Sequence, residues 1–513
     1  MKDLILAYDV GTTGAKAAIF RKDATLVGSA YKQYETYYPK PGWVEQAPEE
    51  WWAAVVEATR EIIETSGIDP VNIAAISFSG QMMGQIPVDA DGNLLQQRVP
   101  IWADGRATKQ VEQVFDALGG YEEFYRITMQ GHNPELYSIF RVMWYRDNMP
   151  EVFKKTHKFL HSKEFVAHRM TGNFVTDYSD QSLAGTLDVT KWAWSDEMFK
   201  AAGLTTDVFP DLKESIDIAG KVTKKAAAEL NLIEGIPVVV GGGDGPCAAA
   251  GAGALLTGDA YFYIGSASWG GTVQPKPVGD FETKVIVEGH LVPGFSTSLY
   301  VMYTAGIAQQ WAKETLFGVE KEGEDLYKVA SDLAAKIPLS EDTVIFLPSL
   351  RPGGAPHNNM NARGVFVGLG LNHKREHLFR AVLEGVSFNI RLLLDRFEQM
   401  SGQKLPELIV IGGGTRNPFW MKLLADITGR RITTPSLKQE ANCFGAAQAG
   451  GVGVGLYKDF EEVKKLIRAE DEYLPDTSLA DFYATKFDIF REAYRGMLKT
   501  YDMIPVLEEF SAE

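Results

Sequence analysis

The chain has 513 residues, 45% hydrophobic and 23% charged, too long for one ordinary core and suited to two or three globular domains. Its 67 acidic against 51 basic residues leave a formal net charge of −16, which disfavours nucleic acid or an anionic membrane as a partner. Two cysteines, Cys247 and Cys443, sit beside small residues in glycine-rich segments and suggest neither a disulfide framework nor a metal site, so a reducing, cytoplasmic setting is expected. The opening MKDLILAYDVGTTG does not read as a signal peptide, and no stretch reads as a membrane span.

In chain order, short apolar runs alternate with amphipathic helical patterns, which predicts α/β architecture. LILAYDV at 4–10 and AKAAIF at 15–20, joined by GTTG, predict two antiparallel strands on a glycine-tipped hairpin. Pro48, Glu49 and Glu50 mark a helix N-terminus, with the apolar face running from Trp51 to Thr65. AAISFSG at 74–80 predicts a buried strand that delivers Gln81, Met82 and Met83 at its carboxyl end. The run from Val238 to Ile264 sets one carboxylate, Asp244, among glycines directly after an apolar segment. Ligands of open α/β sheets bind at the carboxyl ends of strands, so Asp244 is a candidate base, with a simple turn aspartate as the alternative. AYFYIGSASWGGTV at 260–273 repeats the strand, small-polar turn, strand logic, and ELIVIGGGTRNPFW at 407–420 predicts a strand entering a triple glycine before a helix from Pro418 to Thr428. The domain boundary is placed near Gly251 to Gly258.

The glycine turns suit a nucleotide. GTTG after Asp9 offers backbone N–H groups and two hydroxyls to phosphate oxygens, with Lys16 on the next strand, although a plain hairpin turn has the same sequence. GSAS at 265–268 offers the same. No Walker A pattern and no strict GxGxxG is present, which removes the main support for P-loop and Rossmann readings. The histidine pairs His157/His161 and His373/His377 lack further ligands for a metal, Trp192 and Trp194 read as packing, and Glu470, Asp471 and Glu472 read as solvated surface.

Taken together, DVGTTGAK at 9–16, GWVEQAPEEWW at 42–52, SGQMMG at 79–84, WADGRA at 102–107, TDYSDQS at 176–182, GGGDG at 241–245, IGSAS at 264–268, AGIAQQW at 305–311, GVFVGLGLNHKREHLFRAVLEG at 364–385 and IGGGTRNPFW at 411–420 form an ordered set. That set resembles the FGGY family of carbohydrate kinases over nearly the whole chain, and within the family it is most similar to xylulokinases. The resemblance implies an α/β fold of two ribonuclease-H-like domains, of the actin and hexokinase type, with a ligand cleft between them. Residues 1–252 would carry the sugar site and the base, and residues 253–513 the nucleotide side.

The implied activity is phosphoryl transfer from MgATP to a ketose, D-xylulose first, with another pentulose or a small polyol, or an actin-like ATPase without a sugar, as alternatives. By resemblance Asp244 is the general base, and Asp9 with Asp244 holds Mg²⁺. Gly11, Thr12, Thr13, Lys16, Gly265 and Ser266 face phosphates, while Gly306, Gln310, Gly413 and Asn417 correspond to adenosine-side contacts. Gln81, Met82, Met83, Trp102, Asp104 and Asp244 match the sugar site. The sequence departs from the xylulokinase pattern at one position, since Met83 stands where those enzymes carry a sugar-contacting histidine. Glycerol kinases carry an Arg-Glu pair at Met82 and Met83, which disfavours glycerol. The family also carries an expectation of a homodimer.

Overall fold

Leu4–Val10 (β1) is apolar on both faces because it lies inside a sheet covered on both sides, and all of it except Asp9 is buried. In this computed structural model, which describes residues 2–131, 133–318 and 325–509, β1 is joined by six strands. They are Gly14–Arg21 (β2), Leu26–Gln33 (β3), Ile73–Gly80 (β4), Ile218–Lys221 (β5), Pro237–Val239 (β6) and Gly242–Gly243 (β7). Their order is β5, β6, β4, β1, β2, β3, with β7 pairing onto β4. The expected hairpin is present: β1 and β2 are antiparallel, while β1 and β4 are parallel.

By compactness the chain divides into two units. The first comprises Met1–Thr257, Val273–Ser298 and Gln439–Arg468, and the second Gly258–Thr272, Leu299–Lys438 and Ala469–Glu513. The first long segment ends beside the expected boundary, but two later segments join it. The helix Ala441–Gly453 accounts for one of them, because its small residues let it lie directly on the helix Asp244–Ala252. A Cβ on Gly445 would fall 2.0 Å from the Cys247 carbonyl oxygen, and one on Gly251 would fall 1.8 Å from that of Ala441. Gln448 Nε2 donates to the Ala250 carbonyl at 3.0 Å. On the other face of the sheet the helix Pro48–Ser66 buries Trp51, Val55, Ala58 and Ile62 in the cluster that includes Leu6, Tyr8 and Ile19.

The second unit has a comparable hairpin, Ala260–Ile264 (β8) antiparallel to Ser268–Gln274 (β9). Ser296–Met302 (β10), Glu407–Ile411 (β11), Arg431–Pro435 (β12) and Ala469–Tyr473 (β13) continue its sheet in the order β10, β9, β8, β11, β12, β13, and the strand Ile286–Gly289 pairs onto β10. The acidic run at 470–472 is exposed, as its charge suggests, but it is a strand as well, since β13 pairs antiparallel with β12 at the edge of the sheet. Charged side chains on an edge strand discourage pairing with other chains. The long helix Arg375–Ser401 holds the end of the most specific family segment. There Arg380 Nε pairs with Glu384 at 2.9 Å and Asp342 at 3.0 Å, so these charges are internal scaffold. No described helix is long and apolar enough to cross a membrane.

Candidate active site

Strand register assembles the site in the first unit. Lys16, Asp9 and Ser79 are paired across β2, β1 and β4, and Gly242 of β7 pairs with Ser79. Asp9 therefore lies at the carboxyl end of β1, with β4 between it and the β7 strand that runs straight into Asp244, the location where open α/β sheets bind ligands. Ser79 Oγ donates to Asp9 Oδ1 at 2.8 Å and Asn442 Nδ2 to Oδ2 at 3.3 Å, which fixes the carboxylate. Burial holds the Asp9 carboxyl above its ordinary value, against the opposing pull of Ser79, Asn442 and Lys16.

Asp244 opens the helix Asp244–Ala252, and its Oδ1 accepts the Gly245 N–H at 2.9 Å. Burial first, and then the negative charge of Asp9, push its carboxyl up to about 7. The approach from β6 is tightly determined. Gly241 has φ +70 and a Cβ there would meet the Phe78 carbonyl oxygen at 2.0 Å, while Gly243 donates its N–H to Ser179 Oγ at 3.0 Å. Ser179 belongs to a buried polar group in which Lys163 Nζ lies 2.8 Å from Asp177 and 3.3 Å from Asp180. His161, Glu164 and Asp180 bring their donor atoms together in that group, but His161 Nδ1 is already 2.5 Å from Asp180 and the lysine supplies the cation. The TDYSDQS segment thus supports the backbone that presents Asp244.

The raised value can be checked directly. In the metal-free protein the Asp244 carboxyl is protonated below about 7 and ionised above it. A carboxyl NMR titration without Mg²⁺, taken as the difference between wild type and Asp244→Asn, should give a midpoint near 7, and a midpoint at the ordinary value of 3.8 would contradict it.

The hairpin residues form a connected wall. Gly11 N–H donates to the Gly14 carbonyl at 3.1 Å, and the Tyr34 hydroxyl donates to the Gly11 carbonyl. Trp102 Nε1 donates to Thr12 Oγ1 at 2.9 Å, and Thr13 Oγ1 lies 2.9 Å from the Tyr31 hydroxyl. Gln46, fully buried, donates to the Thr12 carbonyl at 2.6 Å and accepts from Gln81 Nε2 at 2.8 Å and Trp51 Nε1 at 3.0 Å. Gln81 and Thr12 are therefore linked through one amide. Lys16 is turned elsewhere: its ammonium donates to the Gln439 carbonyl at 2.8 Å and lies 3.9 Å from Glu440.

The other sugar-side expectations separate. Trp102 keeps 38% of its surface exposed. Met82 is buried with its sulfur over Gly243, where a Cβ would come within 2.4 Å of it. Met83 has a left-handed backbone at φ +60, is half-buried, and packs on the cluster that includes Val111, Tyr137 and Phe140. Asp104 is fully buried, Oδ2 accepts the Val44 N–H at 2.7 Å and Arg106 donates to both oxygens, so it braces the wall.

In the second unit three turns converge. Gly306 N–H donates to the Gly265 carbonyl at 2.7 Å, and the Ala305 and Ile307 N–H groups donate to the Ser266 carbonyl at 3.1 Å. Gly414 packs so closely on Ile264 that a Cβ would lie 2.6 Å from that side chain, which draws Gly413 to the same place. Gln310 is exposed and donates to Glu314 at 2.9 Å. Asn417 is nine-tenths buried and caps the helix Pro418–Thr428, accepting from Trp420 N–H at 3.2 Å and donating to Ser331 at 3.0 Å. Its side chain is used as a cap.

Four residues escape the sequence reading. Ser79 and Gln46 lie inside quoted segments and were recoverable only once their neighbours were known. Asn442 reaches Asp9 from a helix more than 400 positions away in the chain. Glu288 has no motif around it. Its carboxyl is buried close to Gly245, and burial together with the charge of Asp244 holds it well above the usual range.

The family comparison agrees with this geometry. Residues 4–251 match the N-terminal domain of the FGGY family of carbohydrate kinases, and residues 273–454 match its C-terminal domain. The chain belongs to that family. It is 30% identical to a xylulose kinase of Lactococcus lactis over 99% of both chains, and 33% identical to a glycerol kinase of Thermococcus onnurineus over 93% of this chain and 94% of the other. Among solved structures, the xylulose kinase of Rhodospirillum rubrum superposes with a TM-score of 0.87 at 25% identity, covering 97% of this chain and 100% of that one. As a member of the FGGY family the chain is a sugar kinase with the two-domain α/β fold that its sequence led one to expect.

Proposed function

We propose that this FGGY kinase transfers the γ-phosphoryl group of MgATP to a hydroxyl of a ketose, D-xylulose in the first instance. The observation that carries the reading is Asp244, a carboxyl raised to about 7 at the end of a rigid glycine segment and electrostatically coupled to Asp9. Phosphoryl transfer to an alcohol has a loose transition state, so positioning and charge neutralisation do most of the work. Asp244 accepts the proton of the attacking hydroxyl as the new P–O bond forms, and a base near neutrality suits that step. The donor set fits Mg²⁺, because two carboxylates that raise each other's proton affinity are relieved by a cation. Asp9 and Asp244 would hold it, and when bound it supplies positive charge to the transferring phosphoryl group. The Gly11, Thr12 and Thr13 turn binds phosphate oxygens, with Gly265 and Ser266 as the second turn and Gly306 and Gly413 on the adenosine side.

Met83 weighs on the acceptor. A thioether is a weak acceptor at best where a histidine would exchange a hydrogen bond, so the preferred ketose can differ from D-xylulose by one hydroxyl's configuration. Met82 and Met83 also give glycerol none of the charged partners of a glycerol kinase, which leaves another pentulose or a small polyol as the second reading. The test is ADP release with MgATP against D-xylulose, L-xylulose, D-ribulose, L-ribulose, glycerol, erythritol and no acceptor. D-xylulose is expected to give the highest kcat/KM. A different winner moves the substrate and keeps the mechanism, whereas ADP release that no acceptor stimulates rejects the acceptor reading in favour of an ATPase.

A further inference from the structure

A third carboxyl group, beside the base, is unused by the mechanism above. Glu288, on the strand Ile286–Gly289, is 1% exposed, and its Oε1 has no hydrogen-bond partner among the described residues. The carboxyl lies against the residue that follows Asp244. A Cβ placed on Gly245 would come 3.1 Å from Glu288 Oε2, 3.3 Å from Oε1 and 3.6 Å from the carboxyl carbon. Gly245 therefore leaves the space that this carboxyl fills, and any larger residue there would press on it. The strand is held in place independently: Gln130 Nε2 donates to the Val287 carbonyl at 3.1 Å, and the Gly289 N–H donates to Ser182 Oγ at 2.9 Å.

A buried polar atom without a partner is costly, and such atoms are rare in folded proteins away from functional sites. Here the unpartnered oxygen sits beside the glycine next to the catalytic aspartate, and both Asp244 and Gly245 are only half-buried. A small acceptor resting over Gly245 to reach Asp244 would bring its neighbouring hydroxyls to this carboxyl. We infer that Glu288 is a specificity-determining residue that exchanges a hydrogen bond with a second hydroxyl of the acceptor, one not phosphorylated. The inference rests on the kinase reading above and deepens it: the acceptor is a polyhydroxy compound read at two hydroxyls, by Asp244 and by Glu288.

The experiment compares wild type, Glu288→Gln and Glu288→Leu on the best acceptor of the panel and on its deoxy analogues, each lacking one hydroxyl. A site built to bond a hydroxyl discriminates strongly against partners that lack it. Glu288→Leu is expected to lower kcat/KM for the full acceptor by about 10²-fold or more, and by less than about threefold for one deoxy analogue. Glu288→Gln, which keeps a donor and an acceptor in the same shape, is expected to stay within about tenfold of wild type and to fold if the leucine variant does not. KM for ATP should not move. An equal loss on the full acceptor and every analogue, or no loss on any, overturns the role of Glu288 while the wild-type turnover still stands. Should no acceptor stimulate the wild-type protein, the kinase reading fails first and this inference falls with it. If only Glu288→Gln folds, a loss of kcat/KM on the full acceptor that is absent on one deoxy analogue counts for the inference, and an equal loss on all of them, or no loss on any, counts against it.

Discussion

Asp244→Asn is expected to lower acceptor-stimulated ADP release by about 10²–10⁴-fold while leaving nucleotide binding nearly intact, the range associated with loss of a general base. Asparagine preserves the shape and can still accept the Gly245 N–H, but it cannot take a proton from the attacking hydroxyl. The same variant should be more stable than wild type above neutral pH. The folded protein holds the Asp244 carboxyl at about 7 against an ordinary value of 3.8, so between those values the native state binds the extra proton. Stability from this group is thus full below the unfolded value and is lost as pH rises toward 7, a deficit of up to about 4 kcal/mol that asparagine removes. Tm of wild type and variant should differ most at pH 8 and converge toward pH 4. A variant that is inactive because it is misfolded would show the opposite, a lower Tm at pH 8, so one melt separates the base from a structural aspartate.

The pattern of what the sequence disclosed follows from how local each feature is. Both hairpins were legible because apolar runs flank a short glycine turn, and the register that follows puts Asp9 level with Lys16 without further information. Asp244 was legible as a lone carboxylate among glycines. Its support was not. Asn442 and the bridge through Gln46 join segments far apart in the chain, and nothing in either segment marks a side-chain partner. Asp104 and Asn417 show the reverse difficulty. A polar residue in a family motif can serve the ligand or the scaffold, and the sequence does not show the scaffold partners observed, Arg106 for one and the Trp420 N–H for the other. Glu288 was invisible for a third reason, since the sequence cannot show that its carboxyl fills the space left by a glycine more than forty positions earlier.

Gly251→Val is expected to destabilise the first unit severely. A Cβ at position 251 would stand 1.8 Å from the Ala441 carbonyl oxygen and 2.6 Å from the carbonyl carbon, and both are helix backbone that no rotamer change can move aside. The helices Asp244–Ala252 and Ala441–Gly453 would have to separate along their length, because Gly445 meets the Cys247 backbone just as closely, at 2.0 Å. The cost exceeds the roughly 1–3 kcal/mol usual for overpacking and takes a large share of the ~5–15 kcal/mol that stabilises a domain. A thermal melt should therefore show Tm lowered by about 10 °C or more, or no soluble protein at all. Gly496→Ala is the control, since a Cβ there meets nothing within 4 Å and alanine favours a helix interior, so its Tm should hold or rise. The two helices also carry the proposed site: one begins at Asp244, and the other brings Asn442 to Asp9. Any Gly251→Val protein that does fold should lose turnover along with Tm, whereas full activity at a lowered Tm would mean that the carboxylates are held without this helix pair.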